Sequence, residues 1–140
     1  MNTLRQGLYI HVEHWAQMEA DVSSRADEEA CGFVAGEGQY SRLVIPVTNS
    51  LHSPTRFRMQ PDEELKALLL MEDRGLELLA VYHSHPHGIS EPSITDHAEL
   101  TLPCTVYLIW YEAECVWHCR GFIMSSQSSA DEIPLIVHGN

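Results

Sequence analysis

Residues 81–100 read VYHSHPHGISEPSITDHAEL and begin inside a continuous apolar run over 78–82. A run of that kind predicts a strand buried on both faces of a sheet. Alternate residues of a strand point to the same face, so His83 and His85 are expected to present two imidazoles side by side. Pro86 ends the strand, because proline cannot donate to a ladder. The segment therefore predicts a buried strand with a histidine pair at its carboxyl end.

The segments around this strand alternate between helical and extended patterns. Apolar residues spaced by three or four predict a helix over 12–26, and Pro61-Asp62 begins a second helix that ends near Gly75. The second helix and the strands beside it form one crossover unit. Residues 93–100 predict a short helix, and the serine-rich residues 125–130 predict a loop. Apolar runs predict further strands at 8–10, 30–35, 43–47, 104–110, 116–124 and 133–137, the second and third of these forming a hairpin. The expected fold class is an α/β sandwich, a single domain over residues 1–140 with a mixed sheet flanked by helices.

Composition and charge exclude several classes of protein. The chain has 140 residues with 8 Lys+Arg and 20 Asp+Glu, a net charge of −12 with histidine neutral. That charge argues against binding nucleic acid or anionic membranes, since both attract basic surfaces. The amino terminus lacks the apolar core of a signal peptide, and no apolar run reaches the length that spans a bilayer. We therefore expect a cytoplasmic protein whose four cysteines are free thiols.

The histidine pair is followed in the sequence by a carboxylate that could complete a metal site. Ser93-x-x-Asp96 begins the predicted short helix, which would return Asp96 towards the end of the strand. Two imidazoles and a carboxylate with one open position are the usual ligands of catalytic zinc. Alternatively, Ser93 and Asp96 form only a helix capping box. A second zinc site at Cys115-x3-Cys119 is the weaker idea, because that spacing is wider than the usual structural knuckle.

These residues resemble the JAMM motif of the JAB/MPN metalloprotease family. The matching residues are His83-x-His85-Pro86 and Pro92-Ser93-x-x-Asp96, together with an upstream Glu29-x-Cys31-Gly32. Weaker matches at Pro46-x-x-Asn49, Pro54-x-Arg56-Phe57 and Glu132-Ile133-Pro134-Leu135 extend the resemblance over roughly residues 5–138. It implies a cytidine-deaminase-like fold with a curved mixed sheet, and the short chain is similar to the compact prokaryotic type.

The resemblance implies a zinc-dependent peptidase that cuts after the Gly-Gly tail of a ubiquitin-like or sulfur-carrier protein. It implies one zinc per chain, held by His83, His85 and Asp96. Glu29 would act as the general base on water, and Ser93 would donate a hydrogen bond to the oxyanion. Glu28 is the alternative base, although the offset from Cys31-Gly32 favours Glu29.

Two rival functions belong to different classes. One is a non-catalytic MPN scaffold that binds proteins without metal, and the other is a DNA-repair-associated JAB-like protein. The complete motif argues against the first, and the acidic charge argues against the second. The leaving group is left open among cysteine, a lysine side chain and a peptide, and a homodimer is compatible with the sequence.

Overall fold

The computed structural model describes residues 3–99, 105–126 and 129–139. A short 3-10 helix over Thr3–Gln6 comes first. The described helices are α1 (Val12–Ser24), α2 (Pro61–Asp73) and α3 (Ile94–Ala98). The described strands are β1 (Leu8–His11), β2 (Cys31–Glu37), β3 (Tyr40–Val47), β4 (Glu77–His85), β5 (Val106–Ala113), β6 (Val116–Ser126), β7 (Ser129–Ile133) and β8 (Leu135–His138).

The strands form one mixed sheet in the order β7-β6-β5-β4-β2-β3-β1-β8. Strand β4 lies in its interior, antiparallel to β2 and parallel to β5. His83 stands opposite Cys31 on one side and Ile109 on the other. The predicted crossover runs from β3 through α2 to β4, with β2 between the two strands. The end of β4 is therefore held from both sides.

One helix packs on each face of this sheet. Met18 and Val22 of α1 belong to a core cluster that includes Tyr82, whereas Ala67 and Met71 of α2 belong to a second cluster that includes Val81. Side chains alternate along β4. His83 and His85 therefore share the α2 face with Val81. This geometry separates the histidine face from the larger core cluster beneath α1.

Gly32 allows two neighbouring groups to approach β2 closely. A Cβ at this position would lie 2.4 Å from Cε2 of Tyr82 and 2.6 Å from the carbonyl oxygen of Ile45. The Tyr82 hydroxyl donates to Oδ2 of Asp21 on α1 at 2.7 Å, which fixes the ring in that position. The glycine is therefore required for packing between β2, β4 and α1.

Two predictions at the carboxyl-terminal end were wrong. Residues 125–130 were expected to be a loop, but β6 continues to Ser126 and pairs there with Ser129 of β7, while residues 127 and 128 lie outside the described residues. Residues 133–137 were expected to be one strand, but Pro134 divides it. Ile133 pairs with Gly121 at one edge, while Leu135 pairs with Leu8 at the other. The cause is that proline cannot continue the ladder.

The other predicted elements are present with small changes in their bounds. Gly75 follows α2 with φ of +67°, as a glycine after a helix end does. The last residue of the helix predicted over 93–100 and the first residue of the strand predicted over 104–110 lie outside the described residues, and β5 begins at Val106. Among the described helices, none combines the length and apolarity needed to cross a membrane.

Candidate metal centre

The end of β4 brings two imidazoles together on the α2 face of the sheet. His83 is fully buried and His85 is 5% exposed. The Nε2 atoms of the two rings lie 3.1 Å apart. Phe57 stacks on the His83 ring with centroids 4.7 Å apart, which restricts how that ring can turn. The pair is thus fixed by strand geometry and by packing.

Helix α3 adds a carboxylate to this pair. Oδ2 of Asp96 lies 3.1 Å from Nε2 of His83 and 3.0 Å from Nε2 of His85. The same oxygen accepts the Ser93 N–H at 2.8 Å, and Oγ of Ser93 accepts the Asp96 N–H at 2.9 Å. This is a capping box, so the two sequence interpretations of Ser93-x-x-Asp96 are compatible. The cap holds Asp96 where it faces the histidines.

The hydrogen bonds around His85 direct its Nε2 atom towards the Asp96 carboxylate. Nδ1 of His85 lies 2.8 Å from the carbonyl oxygen of Ile89, a contact that requires a proton on Nδ1. Nε2 of a neutral His85 is then an acceptor, yet it faces the acceptor Oδ2 of Asp96. The loop between β4 and α3 that carries Ile89 is itself held by Arg120, which donates to Oγ of Ser90 at 2.9 Å. Two acceptors that face each other in this way are suited to share a metal ion.

The separations of these donor atoms fit a zinc ion. Ligand atoms bound tetrahedrally at about 2.0–2.1 Å lie roughly 3.3 Å from one another. The three donor pairs of His83, His85 and Asp96 are separated by 3.0–3.1 Å. Two imidazole nitrogens and one carboxylate oxygen also match the ligand types that zinc takes at catalytic sites. Both the separations of the three donor atoms and their chemical types are thus suitable for binding zinc.

The histidine and aspartate donors shift each other's pKa in opposite directions. Burial alone would lower the pKa of His83, but the Asp96 carboxylate and then Glu29 raise it above its usual value. Burial would raise the pKa of Asp96, but the charge of His83 and the hydrogen bonds from both histidines and from the Ser93 N–H hold it well below its usual range. The site therefore favours a carboxylate facing positive charge.

Glu29 approaches the same atoms from the segment before β2. A carboxylate oxygen of Glu29 and the donor atoms of His83, His85 and Asp96 all lie within 4.8 Å of one another. Its side chain is buried, and Oε1 has no hydrogen-bond partner among the described residues. Burial raises the pKa of Glu29 to about 7, against the opposing effect of the two histidines. A carboxyl group of that pKa is suited to accept and return a proton near neutral pH.

The side chains of Glu28 and Cys31 are not part of this donor group. Oε2 of Glu28 lies 2.8 Å from Nδ1 of His52, in a pair directed to the surface. Sγ of Cys31 donates to the Val47 carbonyl at 3.3 Å inside the core. The strand predicted over 30–35 begins one residue later, with β2 at Cys31, so Glu28 and Glu29 both precede it. Side-chain alternation in a strand therefore does not explain why the Glu29 carboxylate reaches the donor group and the Glu28 carboxylate does not.

The region of the second candidate site has a different organisation. Cys115 is exposed in the turn between β5 and β6, with φ of +64°. His118 stacks on Tyr111 with centroids 5.4 Å apart. Within the described residues, Glu29, His83, His85 and Asp96 form the one group whose geometry could hold a metal ion. The structure gives no support to zinc at Cys115 and Cys119.

A groove of about 210 Å³ adjoins the donors on the side of α2. His83 and Asp96 form part of its wall. The remaining lining is mainly apolar and includes Phe33, Phe57, Met59, Val81 and Tyr107, with Arg58, Glu64 and Glu99 at polar positions. The groove is large enough for a side chain or a short extended segment beside the metal centre.

Sequence reasoning missed the structural importance of Asn49 and Phe57. Asn49 is fully buried in the loop after β3, and its amide nitrogen donates to the carbonyl of Glu29 at 3.0 Å. Asparagine commonly bonds backbone two residues ahead, which is the signal for the contact with Leu51 N–H at 3.0 Å. That local signal does not predict the long-range contact with Glu29. Likewise, the stacking of Phe57 on His83 depends on how the loop between β3 and α2 packs against the end of β4, which no local pattern predicts.

Comparison with known proteins shows what this site and fold resemble. The family model for prokaryotic homologues of the JAB domain matches residues 11–120. The chain is 30% identical over 125 residues to a desampylase of Pyrococcus furiosus, covering 89% of this chain and 87% of the relative. It is 38% identical over 112 residues to the CysO-cysteine peptidase of Mycobacterium tuberculosis, covering 76% and 77%.

Solved structures share the fold over nearly the whole chain. A solution structure from Desulfitobacterium hafniense has a TM-score of 0.85 at 28% identity, covering 95% of this chain and 94% of that one. The crystal structure of a JAB1/MPN domain protein from Archaeoglobus fulgidus has a TM-score of 0.58 at 16% identity, covering 94% and 97%. The predicted JAB/MPN fold with a mixed sheet is therefore confirmed, and the chain belongs to the family of prokaryotic JAB-domain homologues.

Proposed function

We propose that the chain is a zinc-dependent peptidase that hydrolyses the amide bond after the Gly-Gly tail of a ubiquitin-like or sulfur-carrier protein. The observation that carries the proposal is the convergence of His83, His85 and Asp96 beside the buried carboxylate of Glu29. Neither a scaffold nor a DNA-binding protein needs a buried base at a metal centre. One zinc ion is expected per chain, held by these two histidines and Asp96.

Each residue has a defined task in this reaction. When bound, zinc supplies a water of lowered pKa and polarises the scissile carbonyl. Glu29 accepts the proton of the attacking water and returns it to the leaving amine nitrogen. Ser93 accepts the Asp96 N–H through its lone pair, so its hydroxyl hydrogen remains able to donate to the developing oxyanion. The Phe57 ring, which stacks on His83, excludes water from one side of the site.

The partner is inferred from the family and from the form of the site. The relatives are named for cleavage, one as a desampylase and one as a CysO-cysteine peptidase. A tail of two glycines suits the site, because residues without side chains let the scissile amide approach recessed donors. The histidine strand β4 lies in the interior of the sheet, so it has no unpaired edge to which an extended tail could add. The groove beside His83 is the alternative place for the extended tail.

The test is direct cleavage of defined substrates. A ubiquitin-like protein ending in Gly-Gly is extended by cysteine, by a short peptide, or by an isopeptide-linked lysine. Each is incubated with the zinc-loaded chain and followed by intact mass. Release of the Gly-Gly product from at least one substrate is expected, with none from the His83→Ala, His85→Ala double variant. Failure of the zinc-loaded chain on all three substrates contradicts the proposed activity.

A further inference from the structure

The peptide unit that joins Glu29 to Ala30 is held by side chains from two other segments. Its carbonyl oxygen accepts Nδ2–H of Asn49 at 3.0 Å. Its N–H donates to Oγ of Ser84 at 2.8 Å, and Ser84 lies between the two histidines of β4. Asn49 and Ser84 are both fully buried. The same peptide unit is thus fixed at both of its polar groups.

This fixation replaces the support that a strand would give. Glu29 precedes β2, so its backbone is outside the regular ladder of that strand. Its own N–H donates to the Ser53 carbonyl at 2.8 Å, in the loop that also carries Asn49. The position of the Glu29 carboxylate therefore depends on this loop as much as on the sheet.

The Asn49 side chain uses its full hydrogen-bonding capacity. Besides the bond to Glu29, Nδ2 donates to the Arg56 carbonyl at 3.0 Å, and Oδ1 accepts the N–H groups of Leu51 and Arg58 at 3.0 and 3.1 Å. The bonds to Arg56 and Arg58 bracket Phe57, whose ring stacks on His83. One buried amide thereby connects the segment of Glu29 to the wall of the groove.

We propose that Asn49 is a positioning residue that holds Glu29 against the metal centre and aligns it with the groove wall at Phe57. The inference rests on the proposed function, in which Glu29 is the base. An amide is required because the position needs two donors and two acceptors at once. Aspartate keeps the two acceptors and loses the donors that reach Glu29 and Arg56.

The kinetic test compares Asn49→Ala and Asn49→Asp with Ser50→Ala. Ser50 lies in the same loop and donates its hydroxyl to the Arg58 carbonyl at 3.0 Å, so it is a matched control. Loss of a supporting residue at a metal site commonly costs 10–100-fold. We expect kcat to fall by about that factor in both Asn49 variants. KM and zinc content should stay near those of the parent, and Ser50→Ala should leave kcat within about twofold.

A combined variant separates positioning from a general structural effect. If Asn49 acts through Glu29, replacing Asn49 by Ala should cost little further activity once Glu29→Gln is present. An equal loss of kcat in both backgrounds overturns the proposal. So does parental kcat in Asn49→Ala.

Hydrogen exchange tests the same inference without any activity. In Asn49→Ala, the amides of Glu29 and Ala30 should exchange at least tenfold faster, while those of Leu108 and Ile123 in β5 and β6 keep their protection. Unchanged protection at Glu29 and Ala30 overturns the proposal, and so does a uniform loss across the sheet. If the parent chain cleaves no substrate, the proposed function fails, whereas this measurement still decides whether Asn49 holds Glu29.

Discussion

Replacing Glu29 by Gln should abolish most turnover while leaving the metal bound. Glutamine has nearly the size of glutamate, so the backbone bonds from Glu29 to Ser53 and Asn49 are kept. The candidate metal donors His83, His85 and Asp96 contact one another at 3.0–3.1 Å without help from Glu29. Zinc content is therefore expected to equal that of the parent protein.

The size of the effect follows from the position of this carboxylate. It is the one carboxylate besides Asp96 that the described residues bring to the donor group. Its buried Oε1 has no hydrogen-bond partner among those residues, so it can accept a hydrogen bond from a water held at the donor group. A positioned general base contributes about 10²–10⁴ to the rate. This corresponds to about 2.7–5.4 kcal/mol of transition-state stabilisation.

The assay measures two quantities on matched variants. Zinc per chain is determined by elemental analysis, and kcat by intact-mass detection of the Gly-Gly product. Glu28→Gln is the control, because Glu28 pairs with His52 at the surface and should keep near-parental kcat. The role of Glu29 is refuted if Glu29→Gln retains full turnover, or if its turnover falls only in proportion to lost zinc.

Four further outcomes follow from the structure. The His83→Ala, His85→Ala double variant should lose stoichiometric zinc, because one remaining protein ligand rarely holds it; retained zinc in elemental analysis would contradict the ligand set. A Leu-Leu tail should not be cleaved under conditions that cleave Gly-Gly, and equal rates by intact mass would count against a recessed site. Gly32→Ala should destabilise the fold by about 2–3 kcal/mol in urea unfolding, because the added Cβ meets an aromatic ring and a backbone carbonyl; an unchanged midpoint would contradict this packing. Burial raises the pKa of Cys31 to about 12. At pH 8 its neutral, buried thiol should therefore resist alkylation, while the exposed thiol of Cys115 reacts. Peptide mapping that finds both cysteines modified in the native protein would refute this prediction.

The parts of the fold that follow from local pattern could be predicted from the sequence. The helices around residues 12–26 and after Pro61 show helical spacing, and the strand ending at His85 is an apolar run closed by proline. The carboxyl-terminal strands could not be predicted in the same way. Serine-rich composition suggests a loop, but pairing of Ser126 with Ser129 depends on tertiary contacts of the hairpin. Local propensity is overridden there by the sheet.

The candidate site shows the same division between local and long-range signals. Strand alternation indicates that His83 and His85 face the same way, and helix capping indicates why Asp96 follows Ser93 by three residues. Nothing local indicates that Asn49 reaches Glu29, because the two are joined only when the loop after β3 folds over the segment before β2.

The arrangement of these contacts explains how the fold fixes the Glu29 carboxylate relative to the candidate metal donors. The donors come from β4 and α3, which are joined by a short loop, whereas Glu29 comes from a separate segment far earlier in the chain. Ser84 links that segment to β4 between the two histidines, and Asn49 links it to the groove wall. A shift of β4 would therefore carry the base with it. The position of Glu29 relative to the candidate metal donors is thus fixed by buried hydrogen bonds to one peptide unit.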